Sequence, residues 1–206
     1  MPVRVGVVAD THSPEFLEEL PPRLFEVLAG VELILHAGDV GGASTLEALG
    51  RLAPIRAVRG DHDPGLELPR LLRFEVAGRK VALLHGNRNR LVEEPLTFLG
   101  TVSLGRFWLA PGLARWLRRQ APDADVIVYG HTHAARTIEE DGALIFNPGA
   151  VYQVDRAAAE SRLRRRPGWF EWTWLQFMRR RRFTSRPTVG LLTFHDDRVD
   201  AEVIAL

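Results

Sequence analysis

The chain has 206 residues, 46% of them hydrophobic and 26% charged, with a net charge of +1 and no cysteine. Such a composition fits one well-buried globular core and excludes disulfides, iron–sulfur clusters and thiol catalysis. The first residues enter a strand without the shape of a signal peptide, and no run approaches the roughly 18 apolar residues of a membrane span, so a cytoplasmic protein is expected.

Val3 to Ala9 is a valine-rich apolar run, as a strand buried on both faces requires. Pro14 to Ala29 predicts a helix with Ser13 as N-cap, and Pro21-Pro22 within it predicts a kink or two shorter helices. A strand over Glu32 to Ala37, a helix over Ala43 to Ala53 and a strand over Ile55 to Arg59 follow. This β-α-β-α-β opening implies parallel strands joined by right-handed crossovers. The pattern then turns antiparallel. Leu72 to Ala77 and Lys80 to Leu84 flank Gly78-Arg79, Ala135 to Glu139 and Ala143 to Phe146 flank Asp141-Gly142, and Thr188 to Phe194 and Val199 to Ala205 flank Asp196-Asp197. Asp125 to Tyr129 is a further apolar strand. Two mixed sheets packed face to face between outer helices, an αββα four-layer sandwich of the α/β class, accommodate both halves.

Two regions exceed what that sandwich needs. We read the chain as a single domain, residues 1–206, with insertions at about 88–121 and 156–186. The first holds Trp108, Trp116 and a basic helix-like stretch from Leu113 to Arg119. The second carries ten arginines against Glu160 and Glu171, a local excess of eight that leaves −7 for the rest of the chain. It also holds Trp169, Trp172 and Trp174.

Five apolar stretches end in residues able to bind metal: Asp10-Thr-His12, Gly38-Asp39, Gly60-Asp61-His62-Asp63, His85-Gly86 and Gly130-His131-Thr-His133. Strand ends converge on one edge of a sheet, where α/β proteins place their chemistry. An oxygen and imidazole donor set without cysteine suits hard or borderline divalent cations. Each cluster alone is weak, since Asp-x-His and Gly-Asp are common at turns; their joint occurrence at strand ends is not.

The order and spelling of these clusters, closed by Asn147-Pro148-Gly149, resemble the calcineurin-like metallophosphoesterases, and within them the small bacterial and archaeal phosphodiesterase branch. The resemblance covers residues 3–152 and the closing hairpin. It implies a binuclear centre in which Asp10, His12, Asp39 and His133 hold one divalent cation and Asp39, Asp61, His85 and His131 the other, with manganese favoured over iron, nickel, zinc or magnesium. It further implies attack by a metal-bridging hydroxide on a phosphodiester, His62 as the acid that protonates the leaving group, and Asp63 as the residue that orients its ring. Alternatives within the same resemblance are hydrolysis of nucleotide or lipid pyrophosphates and a non-catalytic interaction module on the same fold, as in the retromer subunit.

The chain departs from the family at Asp61, where asparagine is usual, and at Ala150, where serine commonly follows Asn-Pro-Gly. The small branch often has cysteine at the position of His62. No arginine follows Gly38-Asp39-Val-Gly-Gly, which argues against a phosphoprotein substrate. His36 and His195 fall outside the expected ligand set and read as structural. The Arg156–Arg186 insertion leaves contact with a nucleotide, a nucleic acid or a membrane surface open, the last with peripheral localisation, alongside plain packing on the body. Homo-oligomerisation also stays open.

Overall fold

The structure is a computed structural model that describes residues 1–63, 65–88, 112–180 and 186–206, the side chains of Phe170 and Arg180 excepted. The chain divides into two compact units: Met1–Gly86 with Ala114–Tyr152 and Pro187–Leu206, and Asn87–Leu113 with Gln153–Arg186. The second unit gathers residues from both expected insertions.

The first unit holds two mixed five-stranded sheets. One runs β10-β9-β1-β2-β3 and is built from β1 (Val3–Val8), β2 (Leu33–His36), β3 (Ile55–Ala57), β9 (Thr188–Phe194) and β10 (Val199–Ala205). The other runs β4-β5-β6-β8-β7, from β4 (Leu71–Val76), β5 (Arg79–Leu84), β6 (Val126–Val128), β7 (Arg136–Glu140) and β8 (Ala143–Asn147). Strands β1, β2 and β3 pair in parallel, as do β5, β6 and β8, and the hairpin partners pair antiparallel. Every expected strand is present, and the helix-flanked pair of mixed sheets is the architecture read from the sequence.

Alternation along β1 explains the layers. Val5, Val7 and Ala9 join Leu35, Leu83, Val128 and Phe146 in a fully buried cluster between the sheets. Val8 and Ile34 face the other way, into a second cluster with Leu24, Val27 and Leu28 of α1 (Pro22–Leu28) and Leu49 of α2 (Ala43–Gly50). Period-two alternation with both faces apolar reads in sequence as one continuous run. A basic helix, α3 (Leu113–Gln120), places Arg118 in its last turn, where the guanidinium donates to the carbonyls of Ala121 and Ala124.

The hairpins turn one residue earlier than expected in one case. Val76 pairs with Arg79, so Ala77 and Gly78 form the loop, both with positive φ (48° and 75°). Asp141 and Gly142 do the same in the second hairpin (48° and 75°), the geometry a two-residue loop needs to match strand twist. In the third, residues 195–198 form a longer loop closed by the His195 amide on the Arg198 carbonyl, 2.8 Å. The Pro14-to-Ala29 helix requires correction: only Pro22–Leu28 is helical. Phe16 and Leu17 donate to the same His12 carbonyl (2.8 and 3.2 Å), so a single turn forms there. Pro21 and Pro22 forbid helical geometry in the residues before them, and the helix starts at Pro22.

The second unit is described over α4 (Arg156–Arg164), α5 (Trp169–Arg180) and the flanking loops; Trp108 lies outside the described residues. Asp155 caps α4 through Ala158 N–H at 2.7 Å. Arg162 ties the helices together, donating Nη2 to Glu171 at 2.6 Å and lying 5.6 Å from the Trp174 ring centre.

Candidate metal centre

All seven expected ligands lie in the first unit, on loops that leave strand C-terminal ends. Asp10 and His12 follow β1, Asp39 follows β2, Asp61 follows β3, His85 follows β5, and His131 and His133 follow β6. The β1 and β2 loops are sewn together by backbone bonds from Asp10 N–H to Gly38 C=O, His12 N–H to Asp39 C=O and Ser13 N–H to Val40 C=O, each 3.0 Å. Gly60 has to be glycine here, because a Cβ would overlap the Asp39 carboxylate and amide. At Gly38 a Cβ would lie 2.7 Å from the His85 ring nitrogen, and φ is +90°. The strand ends therefore approach one another backbone to side chain.

Four overlapping groups of donor atoms result among the described residues: Asp10, His12 and His133; Asp10, Asp39 and His85; Asp61, His85 and His131; and His12, Glu15 and His62. Within them His12 Nε2 and His85 Nε2 each lie 3.5 Å from Asp39 Oδ2, His133 Nε2 is 3.5 Å from Asp10 Oδ1, and His131 Nδ1 is 3.8 Å from Asp61 Oδ2. Asp10, His12, Asp39 and His85 are buried, whereas Asp61 is 52% exposed at its side chain.

His85 gives the clearest test of whether these residues fit a cation. Its Nδ1 sits 2.8 Å from the Ala37 carbonyl, so the proton on that nitrogen is committed there. Its Nε2 is buried and faces Asp39 Oδ2 at 3.5 Å. A bare imidazole nitrogen opposite a carboxylate is a pair of lone pairs that a cation or a proton must bridge. In its absence a proton does so. Burial opposes charge on the His85 ring, but the hydrogen bond and Coulombic pull of Asp39, with Asp10 behind it, lift its pKa to about 10. Burial would likewise raise Asp39, yet His85, His12 and the His62 N–H hold its carboxyl well below the usual range. Asp10 moves up instead, pushed by burial and by the Asp39 charge, against His85 and the His131 N–H. Burial also lowers His133 to about 4; 27% of that side chain stays exposed, so solvent offsets part of the loss. The donor set thus gathers carboxylate oxygens and imidazole nitrogens at one partly buried place where a positive charge has to sit between Asp39 and His85, which fits divalent cations.

Five of the seven residues adopt left-handed backbone: Asp10 (φ 52°), His12 (47°), Asp39 (53°), His131 (66°) and His133 (52°). Non-glycine residues in this region carry roughly 1–2 kcal/mol of strain each, and such strain collects at functional sites.

Asp63 has a different place from the one expected. Its buried carboxylate accepts from the backbone N–H groups of Val40 (2.8 Å), Gly41 (3.0 Å) and Gly60 (2.8 Å). Oδ1 pins the β3 loop to Val40 and Gly41 of the β2 loop, and Oδ2 closes the β3 loop on itself at Gly60. Beside the His62 ring stands Glu15 instead, with Oε2 3.5 Å from Nδ1. The ring also meets His12 edge-on at 4.9 Å and Phe16 at 5.7 Å. His62 N–H donates to Asp39 Oδ1 at 2.8 Å, which ties His62 to the centre. Glu15 is absent from the residues expected at the site, because its contact with His62 spans 47 positions of the chain and no local motif marks it.

Other residues support the loops. His36 is fully buried, and burial lowers its pKa to about 4, so its ring is neutral. Thr11 Oγ1 donates to the Val40 carbonyl (2.8 Å) and so accepts from His36 Nε2 (3.0 Å), a structural role. Asn147 holds the β6 loop, donating Nδ2 to the Gly130 carbonyl at 2.8 Å while Oδ1 accepts Gly149 N–H at 2.8 Å. His195 pairs with Asp200 at 3.0 Å, at the far end of β9.

Residues 3–163 match the model of the calcineurin-like phosphoesterase superfamily domain. A probable metallophosphoesterase of Methanothermobacter thermautotrophicus is 36% identical over 149 residues, 71% of this chain and 76% of that protein. Among solved structures, zinc-bound Vps29 of Entamoeba histolytica superposes with a TM-score of 0.61 at 21% identity, over 98% of this chain and 99% of that one. An archaeal phosphodiesterase does so with a TM-score of 0.55 at 18% identity, over 98% and 100%. The chain belongs to the calcineurin-like phosphoesterase superfamily, and membership supports phosphoester hydrolysis as its class of activity.

Proposed function

We propose that this chain is a two-metal phosphodiesterase. The observation that carries the reading is the convergence of seven donors from five strand ends, with His85 Nε2 buried 3.5 Å from Asp39 Oδ2. Asp10, His12, Asp39 and His133 would hold one divalent cation and Asp39, Asp61, His85 and His131 the other, with Asp39 common to both sets. Bound cations of this kind supply Lewis acidity to phosphoryl oxygens and lower the pKa of water towards neutrality.

The chain's own residues do the rest. The β1–β2 loop bonds and the Asp63 clip hold the donors in register. His62 carries the proton for the departing oxygen, and Glu15 at Nδ1 orients its ring. Asp61 adds a negative charge where the family has asparagine, which disfavours a phosphate dianion more than a diester monoanion. In this proposal the chain is one domain with two insertions that works in the cytoplasm with manganese as its metal.

The test reconstitutes metal-free protein with Mn, Ni, Co, Mg or Zn and assays bis(p-nitrophenyl) phosphate against p-nitrophenyl phosphate. Turnover of the diester in preference to the monoester is expected, with loss in Asp39→Asn and a shift towards the monoester in Asp61→Asn. No turnover with any of these metals refutes the enzyme reading in favour of an interaction module. Metal binding alone does not separate the two, since a Vps29 has been solved with zinc.

A further inference from the structure

The hairpin of α4 and α5 ends in a tip that holds none of the expected metal ligands. Arg164, Arg165 and Arg166 are exposed in succession, Pro167 and Gly168 turn the chain, and α5 begins with Trp169, 76% exposed, followed by Trp172, 50% exposed. Three residues apart on a helix, the two indoles share a face. Large aromatic side chains are ordinarily the first to be buried, and this hairpin does bury Ala159, Leu175 and Phe177. Its internal polar contacts are also made: Arg162 is paired with Glu171 and lies over Trp174, and Arg156 with Glu160. The tip thus combines exposed indole area with three adjacent positive charges and no acidic residue between Ser161 and Phe170.

We propose that this tip docks on the surface of an anionic phospholipid bilayer. Indole rings settle at the headgroup level, apolar body inward and N–H towards water, while guanidinium groups pair with lipid phosphates in a fork geometry. Association is peripheral, because no helix among the described residues is long and apolar enough to cross a membrane. Single-stranded nucleic acid would use the same chemistry, but it is gripped in a basic groove that tracks its backbone. Here the chain presents an exposed turn, which suits insertion into a surface.

The experiment uses the full chain with vesicles of phosphatidylcholine alone or mixed with phosphatidylglycerol, read by co-sedimentation and tryptophan emission. Binding to the anionic vesicles with a blue shift is expected, with little binding to the neutral ones. Combined Trp169→Ala and Trp172→Ala substitution should weaken partitioning on the order of tenfold or more. Each of Arg164→Ala, Arg165→Ala and Arg166→Ala should weaken it on the order of fivefold. Melting temperatures of the variants serve as the folding control, and Trp169→Ala alone replaces the double variant if that one misfolds. No binding to anionic vesicles overturns the proposal. So does binding that is indifferent to the tryptophans, or binding of a single-stranded oligonucleotide through these residues without vesicle binding.

Discussion

His131 offers a direct measure of the strain held in the centre. Its φ of +66° lies in the left-handed region, where an L-residue carries roughly 1–2 kcal/mol that glycine does not. At ordinary positions the order is reversed, glycine being less favourable than alanine by roughly 0.5–1 kcal/mol through its greater freedom in the unfolded chain. Replacing His131 by glycine and by alanine removes the same ring and leaves the same backbone N–H bonds to Asp10, so the difference between the variants isolates the backbone. Subtracting the mid-range values makes His131→Gly the more stable by about 0.75 kcal/mol, within limits of about 0–1.5 kcal/mol. For a chain of this size that is a melting temperature higher by about 1–4 °C. The assay is thermal unfolding of chelated protein by circular dichroism, so that ligand loss does not enter. Glu47, exposed within α2, is the control, where Glu47→Ala should exceed Glu47→Gly. If His131→Ala melts at or above His131→Gly, the strain assigned to this residue is wrong.

Three other predictions concern neighbouring groups. Asp63→Ala leaves three N–H groups without their acceptor and should destabilise the metal-free protein by about 3 kcal/mol or more in urea unfolding; a loss under about 1 kcal/mol would contradict its role as a clip. Glu15→Gln should slow hydrolysis of a diester with an alkoxide leaving group by roughly tenfold, while leaving bis(p-nitrophenyl) phosphate nearly unchanged, since only the poor leaving group needs an oriented acid; equal loss on both substrates contradicts the positioning role. A cation must displace the proton that His85 holds up to a pH of about 10. Metal affinity should therefore rise with pH between 7 and 9, about tenfold per unit for one proton, and calorimetry in buffers of different ionisation enthalpy should register its release. Affinity that is flat across that range argues that His85 is not a ligand.

Much of this was legible in the sequence for definite reasons. Strands such as β1 bury both faces, so their apolar runs stand out, and most of the ligands follow such a run, Asp61 after the short β3 being the exception. The turns at Asp141-Gly142 carry their own conformational signature. The stretch from Pro14 to Pro21 misled because its leucines and Phe16 keep helical spacing while its prolines forbid the helix. Asp63 misled in another way: an acid next to a histidine reads as its partner, and only the folded positions of Val40, Gly41 and Gly60 show where the carboxylate is committed. Glu15 was hidden because its meeting with His62 is made by tertiary structure alone.

The same clip bears on metal choice. Because the bonds from Val40 and Gly41 to Asp63 lie wholly within the chain, the β2 and β3 loops are held together by the protein and not by the cation they receive. A site assembled beforehand gives little of its binding energy to folding, and it offers one arrangement of oxygen and imidazole donors to every divalent ion of suitable radius. Such a frame ranks cations by their intrinsic affinity for those donors, which rises along the first transition series to copper. The working metal is then decided by which ions the cell keeps available, so the protein purified from one growth medium and from another should carry different metals in an unchanged scaffold.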